Sequence, residues 1–343
     1  MKFIKWFYRV VFLFITFAAV AAGFFYSSVT TPIGETSIKS FEVKAGDTFY
    51  QLGYKLNASE LIEYPFLTRI VSKLHPEWTP KVGQYAIAPE MNLLDVMALF
   101  DSGKSIFYSI TLLEGKNTQE FLGAMEAKGN IKMTLLGLSH EEIAEKVGLN
   151  VPHPEGQFFA NTYRYHKGDT DVSILKHSHA LLRSTLDELW EQKAENLPYK
   201  NAYEALIMAS IIEKETGVPE ERSLIAQVFI SRLEKGMRLQ TDPTVIYGLG
   251  DAFSGNLTRK GLQDSSPYNT YRVYGLPPTP IANVGREAIA AALNPEATKA
   301  LYFVAKGDGT HAFSNTLQEH NRAVRKYQFK RREDYRSTPK AVK

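Results

Sequence analysis

The 343-residue chain contains no cysteine, and this absence excludes several kinds of site at once. Disulfide bonds, thiolate metal ligands and cysteine nucleophiles are all impossible. The motifs G-x-S-x-G and H-E-x-x-H, typical of serine hydrolases and zinc peptidases, are also absent. His177 and His179 form an H-x-H pair, but positions i and i+2 of a helix point well apart. We therefore expect neither a metal site nor a cofactor.

The chain also has almost no excess of positive over negative charge. The chain holds 40 Lys and Arg residues against 37 Asp and Glu residues, and Lys2, Lys5 and Arg9 account for the whole excess. The remainder is formally neutral, which argues against nucleic acid as a partner, because a phosphate-binding surface needs a basic surplus.

No charged residue occurs from Val10 to Gly34, and this run predicts a membrane anchor. The strongly apolar part, Val10 to Tyr26, approaches the roughly 20 residues that span a bilayer, and aromatic residues lie at both of its ends. Basic residues before the run place the N-terminus in the cytoplasm. We predict a cytoplasmic tail at 1–9, a transmembrane anchor at 10–30 and an exported remainder. A cleaved signal peptide is the alternative, although the A-x-A-like site at 19–21 lies inside the run.

The exported part predicts an α+β fold in two domains. Residues 38–108 are predicted to form five elements in order: a strand at 41–44, a helix from Phe49 capped by Thr48, a helix at 64–74, a strand at 85–87 and a helix capped by Asn92. This order resembles a LysM module, a small fold often found on glycan-binding exported proteins; a plain spacer without a ligand is the alternative. A larger α+β domain is predicted at 109–335. Its predicted elements include helices at 171–195 and 221–235, a helix near Pro243 with Asp242 as N-cap, and a hairpin at 300–314.

The most informative stretch is ALIMASIIEKETG at 205–217, where an apolar helix runs into two glutamates and then stops at Gly217. Acidic residues favour the first turn of a helix, and these lie in the last, where the dipole opposes them. A carboxylate held there against apolar neighbours should have a raised pKa, as a general acid needs. The stretch therefore predicts an enzyme that depends on a carboxylate.

Glu213 and Glu215 differ by about 200° around the helix axis, so only one can point into a cleft. Glu215 continues the more completely apolar face of Met208 and Ile212, so we prefer Glu215 and keep Glu213 as the alternative. Both could also be ordinary solvated residues at a helix end.

Two further segments carry groups that suit a sugar ligand. Gln240, Thr241 and Asp242 offer three hydrogen-bonding side chains in a row, and Asn269 lies between tyrosines. An N-cap role for Asp242 and a turn role for Asn269 are equally compatible with the pattern. A glycoside hydrolase would need a second carboxylate, and Asp242 is the candidate.

Four long motifs resemble the MltG family, the YceG-like endolytic murein transglycosylases. They are MASIIEKETG (208–217), GMRLQTDPTVIYGLG (236–250), YNTYRVYGLPPTPIANVG (268–285) and LYFVAKGDGTHAFSNTLQEHN (301–321). The order of anchor, LysM-like module and catalytic domain is also similar, so the resemblance covers essentially the whole chain.

The resemblance implies cleavage of the MurNAc–GlcNAc bond of nascent peptidoglycan to leave a 1,6-anhydro end. It implies Glu215 as the catalytic residue, with Glu213 as a possible alternative or supporting group, and Gln240, Thr241, Asp242 and Asn269 as substrate-binding groups. It also implies a location at the bacterial inner membrane, a penicillin-binding protein as partner and a role in ending strand elongation. A non-catalytic glycan-binding scaffold and a glycoside hydrolase remain the competing hypotheses.

Overall fold

The computed structural model describes residues 2–33 and 38–329, and the chain divides into two compact units. Residues 1–108 with 164–167 form the first unit, and residues 109–163 with 168–343 form the second. Residues 34–37, and residues 330–335 of the predicted larger domain, lie outside the described residues. The fold is mixed α+β and mostly helical, with small two-stranded sheets.

The first unit begins with one long apolar helix, and its elements are α1 (Lys2–Thr30), β1 (Ile38–Val43), α2 (Phe49–Ala58), α3 (Leu67–Leu74), β2 (Gly83–Ile87) and α4 (Leu93–Ser102). The segment Phe3–Thr30 is long and apolar enough to cross a membrane, a property that a signal sequence shares. β1 and β2 pair antiparallel, with Phe41 opposite Tyr85. Their inner faces enclose a core of their own together with α2, α3 and α4.

The helix caps predicted in the first unit are confirmed. The Thr48 side chain accepts the backbone N–H of Gln51, and the Asn92 side chain accepts that of Asp95. The predicted start of the next helix at residue 64 is wrong, because α3 begins only at Leu67. Pro65 disfavours the helical conformation of the residue before it, so the helix forms after the proline.

The second unit is built on helices, and the remaining elements are β3 (Tyr108–Thr111), α5 (Thr118–Glu126), α6 (His140–Val147), β4 (Thr162–Tyr165), α7 (Asp171–Glu191), α8 (Ala202–Glu215), α9 (Pro219–Glu234), α10 (Asp242–Leu249), α11 (Arg286–Leu293), β5 (Tyr302–Ala305), β6 (His311–Ser314) and α12 (Leu317–Val324). β3 pairs with β4. β5 and β6 form the predicted antiparallel hairpin, with Phe303 opposite Phe313.

Two predictions for the second unit need correction. α7 ends at Glu191 rather than at residue 195, because the chain turns so that the Ala194 N–H donates to the carbonyl of Leu293 at 2.9 Å. Asp242 is the first residue of α10 and not its N-cap; Thr241 holds the N-cap position without a side-chain capping bond. Both side chains are therefore available for other contacts.

α8 lies at the centre of the second unit. Every residue from Ala205 to Ile212 is buried, and α7, α9, α10 and α11 pack around it. Full burial of each branched apolar side chain contributes about 1.5–3 kcal/mol, so this helix is held firmly. It begins at Asn201, whose side chain accepts the Glu204 N–H at 3.0 Å, and it ends at Glu215, as it leaves the core. The end of α8 is thus a rigid support for the carboxylate there.

Candidate functional site

The Glu215 side chain opens into a cavity of about 330 Å³ at the end of α8. The walls come from α9, the start of α10, the loop after it, β5 and α12, and the other lining residues are Phe229, Arg232, Gln240, Thr241, Asp242, Tyr271, Tyr302, Phe303, Leu317 and His320. Aromatic rings, one further carboxylate and one side-chain amide therefore surround this carboxyl group.

Thr241 holds that carboxyl group directly, because its hydroxyl donates to Glu215 Oε1 in a short hydrogen bond. Thr241 is itself fixed on both sides of its backbone. Its N–H donates to Thr270 Oγ1 at 3.1 Å, and its carbonyl accepts the Thr244 hydroxyl at 2.8 Å. The preceding Gln240 has a φ of 53°, in the left-handed region that non-glycine residues seldom adopt. A strained, well-anchored turn thus aims Thr241 at the carboxyl group.

Burial raises the pKa of Glu215 above its ordinary value. The hydrogen bond from Thr241 and the charges of His311 and Arg232 act in the opposite direction, and Asp242 adds to the rise. Arg232 is buried and donates to the carbonyl oxygens of Leu239 and Leu301. Because its guanidinium is engaged by those carbonyls, it approaches Glu215 as a nearby charge rather than as a bonded partner. The net result is a carboxyl group that holds its proton more strongly than a solvated glutamate.

Two exposed groups complete the mouth of this cavity. Gln240 and Asp242 are solvent-exposed, whereas Thr241 between them is buried. The Tyr271 hydroxyl donates to Asp242 Oδ1 at 2.6 Å, and burial together with this carboxylate raises the pKa of Tyr271. The phenol therefore stays protonated and orients the Asp242 carboxylate.

Glu213 does not line the cavity at Glu215. Its side chain is only 5% exposed, accepts the Gly285 N–H at 3.1 Å and lies 3.9 Å from Arg222. Gly285 is the N-cap residue of α11, so the carboxylate sits at a helix N-terminus, where negative charge is favoured. Burial raises the pKa of Glu213, but the side chain does not line the cavity at Glu215. Its contacts are those of a residue that joins α8 to α11.

Asn269 is also placed away from the cavity lining. The side chain is fully buried; its amide nitrogen donates to the carbonyls of Leu262 and Asp264, and its amide oxygen accepts the Tyr271 N–H. All of these bonds lie within one loop. Asn269 therefore holds the loop that presents Tyr271, and it is not available to a ligand in this arrangement.

Sequence reasoning missed Arg232, Tyr271 and the aromatic wall from β5. Tyr271 belongs to a segment noted for its mixture of polar and aromatic residues, but nothing local indicates that its hydroxyl meets Asp242. Arg232 resembles any basic residue in the last turn of a helix. Among the described residues no group of three or more histidines and carboxylates could hold a metal ion. The His179 ring nitrogen instead donates to the carbonyl of Gln157 at 2.9 Å.

A half-buried glutamate of raised pKa in a cleft lined by aromatic and hydrogen-bonding side chains is typical of enzymes that use a carboxyl group as acid and base. Residues 41–326 match the YceG-like family, and the chain belongs to that family. It is 35% identical to the endolytic murein transglycosylase of Bacillus subtilis (strain 168), over 72% of this chain and 73% of that one.

Two further relatives extend the comparison. The chain is 25% identical to the endolytic murein transglycosylase of Streptococcus pneumoniae (strain D39), over 82% of this chain and 57% of that one. The crystal structure of a yceG-like protein from Listeria monocytogenes superimposes with a TM-score of 0.51 at 30% identity, covering 83% of this chain and 98% of the other.

Proposed function

We propose that this protein is a membrane-anchored lytic transglycosylase that cleaves the MurNAc–GlcNAc bond within peptidoglycan strands, with Glu215 as its catalytic acid and base. The observation that carries the proposal is the half-buried Glu215 carboxyl group, of raised pKa, facing a cavity beside Thr241 and Asp242. The name shared by the Bacillus and Streptococcus relatives supports the same reaction.

The reaction requires one carboxyl group in two protonation states. Protonated Glu215 donates its proton to the glycosidic oxygen as the bond from MurNAc C1 to that oxygen breaks. The resulting carboxylate then takes the proton of the MurNAc C6 hydroxyl, whose oxygen closes on C1. Glu215 is protonated again, no water is consumed, and the product ends in 1,6-anhydro-MurNAc. A raised pKa keeps the starting acid protonated to a higher pH than a solvated glutamate would be.

The neighbouring groups serve the two halves of this cycle. The Thr241 hydroxyl donates to Glu215 and so stabilises the carboxylate that forms when the proton leaves. Gln240 and the Asp242–Tyr271 pair offer an amide, a carboxylate and a phenol to sugar hydroxyls at the mouth. We assign Asn269 an indirect role, through the loop that carries Tyr271.

The remaining parts of the chain would deliver this domain to its substrate. α1 would anchor the protein in the bacterial inner membrane with residues 1–9 in the cytoplasm, and the unit at 38–108 would act as a LysM-like module. Cleavage of nascent strands beside a penicillin-binding protein would end their elongation. These assignments follow the family resemblance and the apolar helix.

A glycoside hydrolase is the second candidate, because Asp242 supplies a second carboxylate to the same cavity. Such an enzyme would add water at C1 instead of closing the anhydro ring. A catalytically inactive scaffold would bind glycan and release nothing.

Mass spectrometry of glycan strands treated with the full-length protein in detergent tests these possibilities. We expect products ending in 1,6-anhydro-MurNAc from the wild type and none from Glu215→Gln. Glu213→Gln is the matched control, since it removes a buried carboxylate two residues away. Products heavier by one water would indicate a hydrolase, and activity in Glu215→Gln would reject the assignment of Glu215. Glycan binding by the wild type without cleavage would favour the scaffold.

A further inference from the structure

The second unit contains another, larger cavity that the proposed chemistry does not use. It has a volume of about 640 Å³ and is lined by parts of α5, α6 and α10, by Lys214 near the end of α8, and by the loops at 153–155 and 266–268. The volume is within the range of small-molecule binding sites, and it is about twice that of the cavity at Glu215.

A buried carboxyl group, Glu155, forms the floor of this second cavity. Glu155 is 3% exposed, and its Oε1 accepts the backbone N–H of Thr118 at 3.2 Å and the side-chain amide of Asn283 at 3.4 Å. Its Oε2 accepts the hydroxyl of Tyr247 at 3.4 Å. Burial raises the pKa of Glu155 to about 7, so the floor carries only part of a negative charge at neutral pH.

The two cavities lie side by side, because consecutive residues line one and then the other at two places. Lys214 lines the second cavity and Glu215 the first. Pro243 lines the second cavity and Asp242 the first. At both places the linings of the two cavities are one residue apart along the backbone, and this backbone forms the ridge between them. A polymer chain bound in the first cavity would reach the second by crossing this ridge.

The lining of the second cavity suits an uncharged saccharide. Tyr247 and Tyr268 form an edge-to-face pair with centroids 4.9 Å apart, and such rings pack against the apolar faces of sugars. Gln119 is exposed at the rim and offers both amide donors and an acceptor. One lysine faces a rim that also carries Glu120 and Asp251, so the lining lacks the basic surplus that a phosphate or a polyanion needs.

We infer that the cavity floored by Glu155 is a second saccharide-binding site, which holds the part of the glycan strand that extends across the α10 ridge from the bond at Glu215. The inference rests on the proposed function in taking the ligand to be a glycan strand. With sugars held on both sides of the ridge, the enzyme would favour long strands over short ones and would cut inside them. The site would thereby supply part of the binding energy that positions the scissile bond over Glu215.

The test measures binding without turnover. The full-length protein with Glu215→Gln is prepared in detergent, and calorimetry compares its affinities for GlcNAc–MurNAc tetrasaccharides and octasaccharides whose lactyl carboxyl groups are capped as uncharged amides. Gln119→Trp is added to fill the mouth of the second cavity, and Leu136→Trp, at an exposed position that lines neither cavity, is the matched control. We expect Gln119→Trp to weaken octasaccharide binding about tenfold, because one or two hydrogen bonds and a ring contact are lost. Tetrasaccharide binding should remain unchanged. Equal octasaccharide affinities in the two tryptophan variants, or no octasaccharide binding by the Glu215→Gln protein, would overturn the inference.

A second measurement does not depend on the folding of a tryptophan variant. Because the chain has no cysteine, Gln119→Cys and Leu136→Cys can each be labelled at a single position with an environment-sensitive fluorophore. Octasaccharide should change the emission of the label at residue 119 only; a silent label there would contradict the inference. If length-dependent binding is seen while the wild type releases no anhydro product, the second site stands and the proposed lyase activity falls.

Discussion

The hydrogen bond from Thr241 to Glu215 gives the most direct prediction, because it acts on one protonation state more than on the other. The hydroxyl donates to the carboxyl group, and a hydrogen bond to an ionised group contributes about 1.5–3 kcal/mol against about 0.5–1.5 kcal/mol for a neutral one. Replacing Thr241 by valine keeps the branched shape and removes the donor. The ionised form of Glu215 then loses roughly 1.4 kcal/mol more than the protonated form.

The sign of the effect follows from this difference. Loss of the donor raises the pKa of Glu215 further, since 1.36 kcal/mol corresponds to one pKa unit. The general acid must be protonated in the free enzyme, so the alkaline limb of the kcat/KM profile should move upward by about one pH unit in Thr241→Val. The maximal rate should fall, because the carboxylate formed during the reaction is less stable.

The assay is the release of 1,6-anhydro-MurNAc ends, measured between pH 4 and 10 with full-length protein in detergent. Thr185→Val is the control: Thr185 is buried in α7 and does not line the cavity at Glu215. Its alkaline limb should stay within a few tenths of a pH unit of the wild type. A limb that moves downward in Thr241→Val, or that moves equally in both variants, would refute the reasoning.

Three further predictions concern neighbouring parts of the second unit. Gly156→Ala should lower the free energy of unfolding by about 1–3 kcal/mol more than Gly168→Ala in denaturant titrations: both glycines have positive φ, but only at residue 156 would the new Cβ lie 2.2 Å from a neighbouring proline. Glu213→Gln should still release anhydro products, because Glu213 contacts the start of α11 and not the catalytic cavity; loss of product would move the catalytic role to it. The pKa of Glu155 rises from 4.5 to about 7 on folding, so between these pH values the native state binds more protons than the unfolded state. The free energy of unfolding therefore falls by roughly 3 kcal/mol as the pH rises through this range. Glu155→Gln should lack that fall. The difference between the wild-type and Glu155→Gln stability curves separates the effect of Glu155 from that of His153, whose pKa is lowered to about 4. Parallel curves would contradict the prediction.

The local part of the site was predictable from the sequence. The end of α8 could be placed before Gly217, and helical geometry alone separates Glu213 from Glu215 by more than half a turn. The uncharged run from Val10 predicts the long apolar α1, and the Asp-Gly turn predicts the β5–β6 hairpin. Each of these features depends on residues within a few positions of one another.

Prediction failed where a distant group competes with a local one. An aspartate before a proline at a helix start is a good N-cap, yet Asp242 is the first residue of α10. Its side chain accepts a hydrogen bond from the hydroxyl of Tyr271, 29 residues away. A ligand-binding role for Asn269 stays a prediction; the structure shows its amide bonded inside its own loop. Polar side chains have several possible partners, and sequence spacing does not say which of them the fold brings near.

The sequence by itself determined that an acidic helix end follows an apolar helix, and that this helix had to be buried. Only the tertiary structure decided that Thr241, 26 residues later, meets Glu215, that Arg232 is held by the carbonyls of Leu239 and Leu301, and that a second carboxyl group, Glu155, is buried in the same unit. The physical reason is that burial and electrostatic coupling depend on distances in space. Those distances are fixed by the packing of the helices around α8, and no local pattern encodes them.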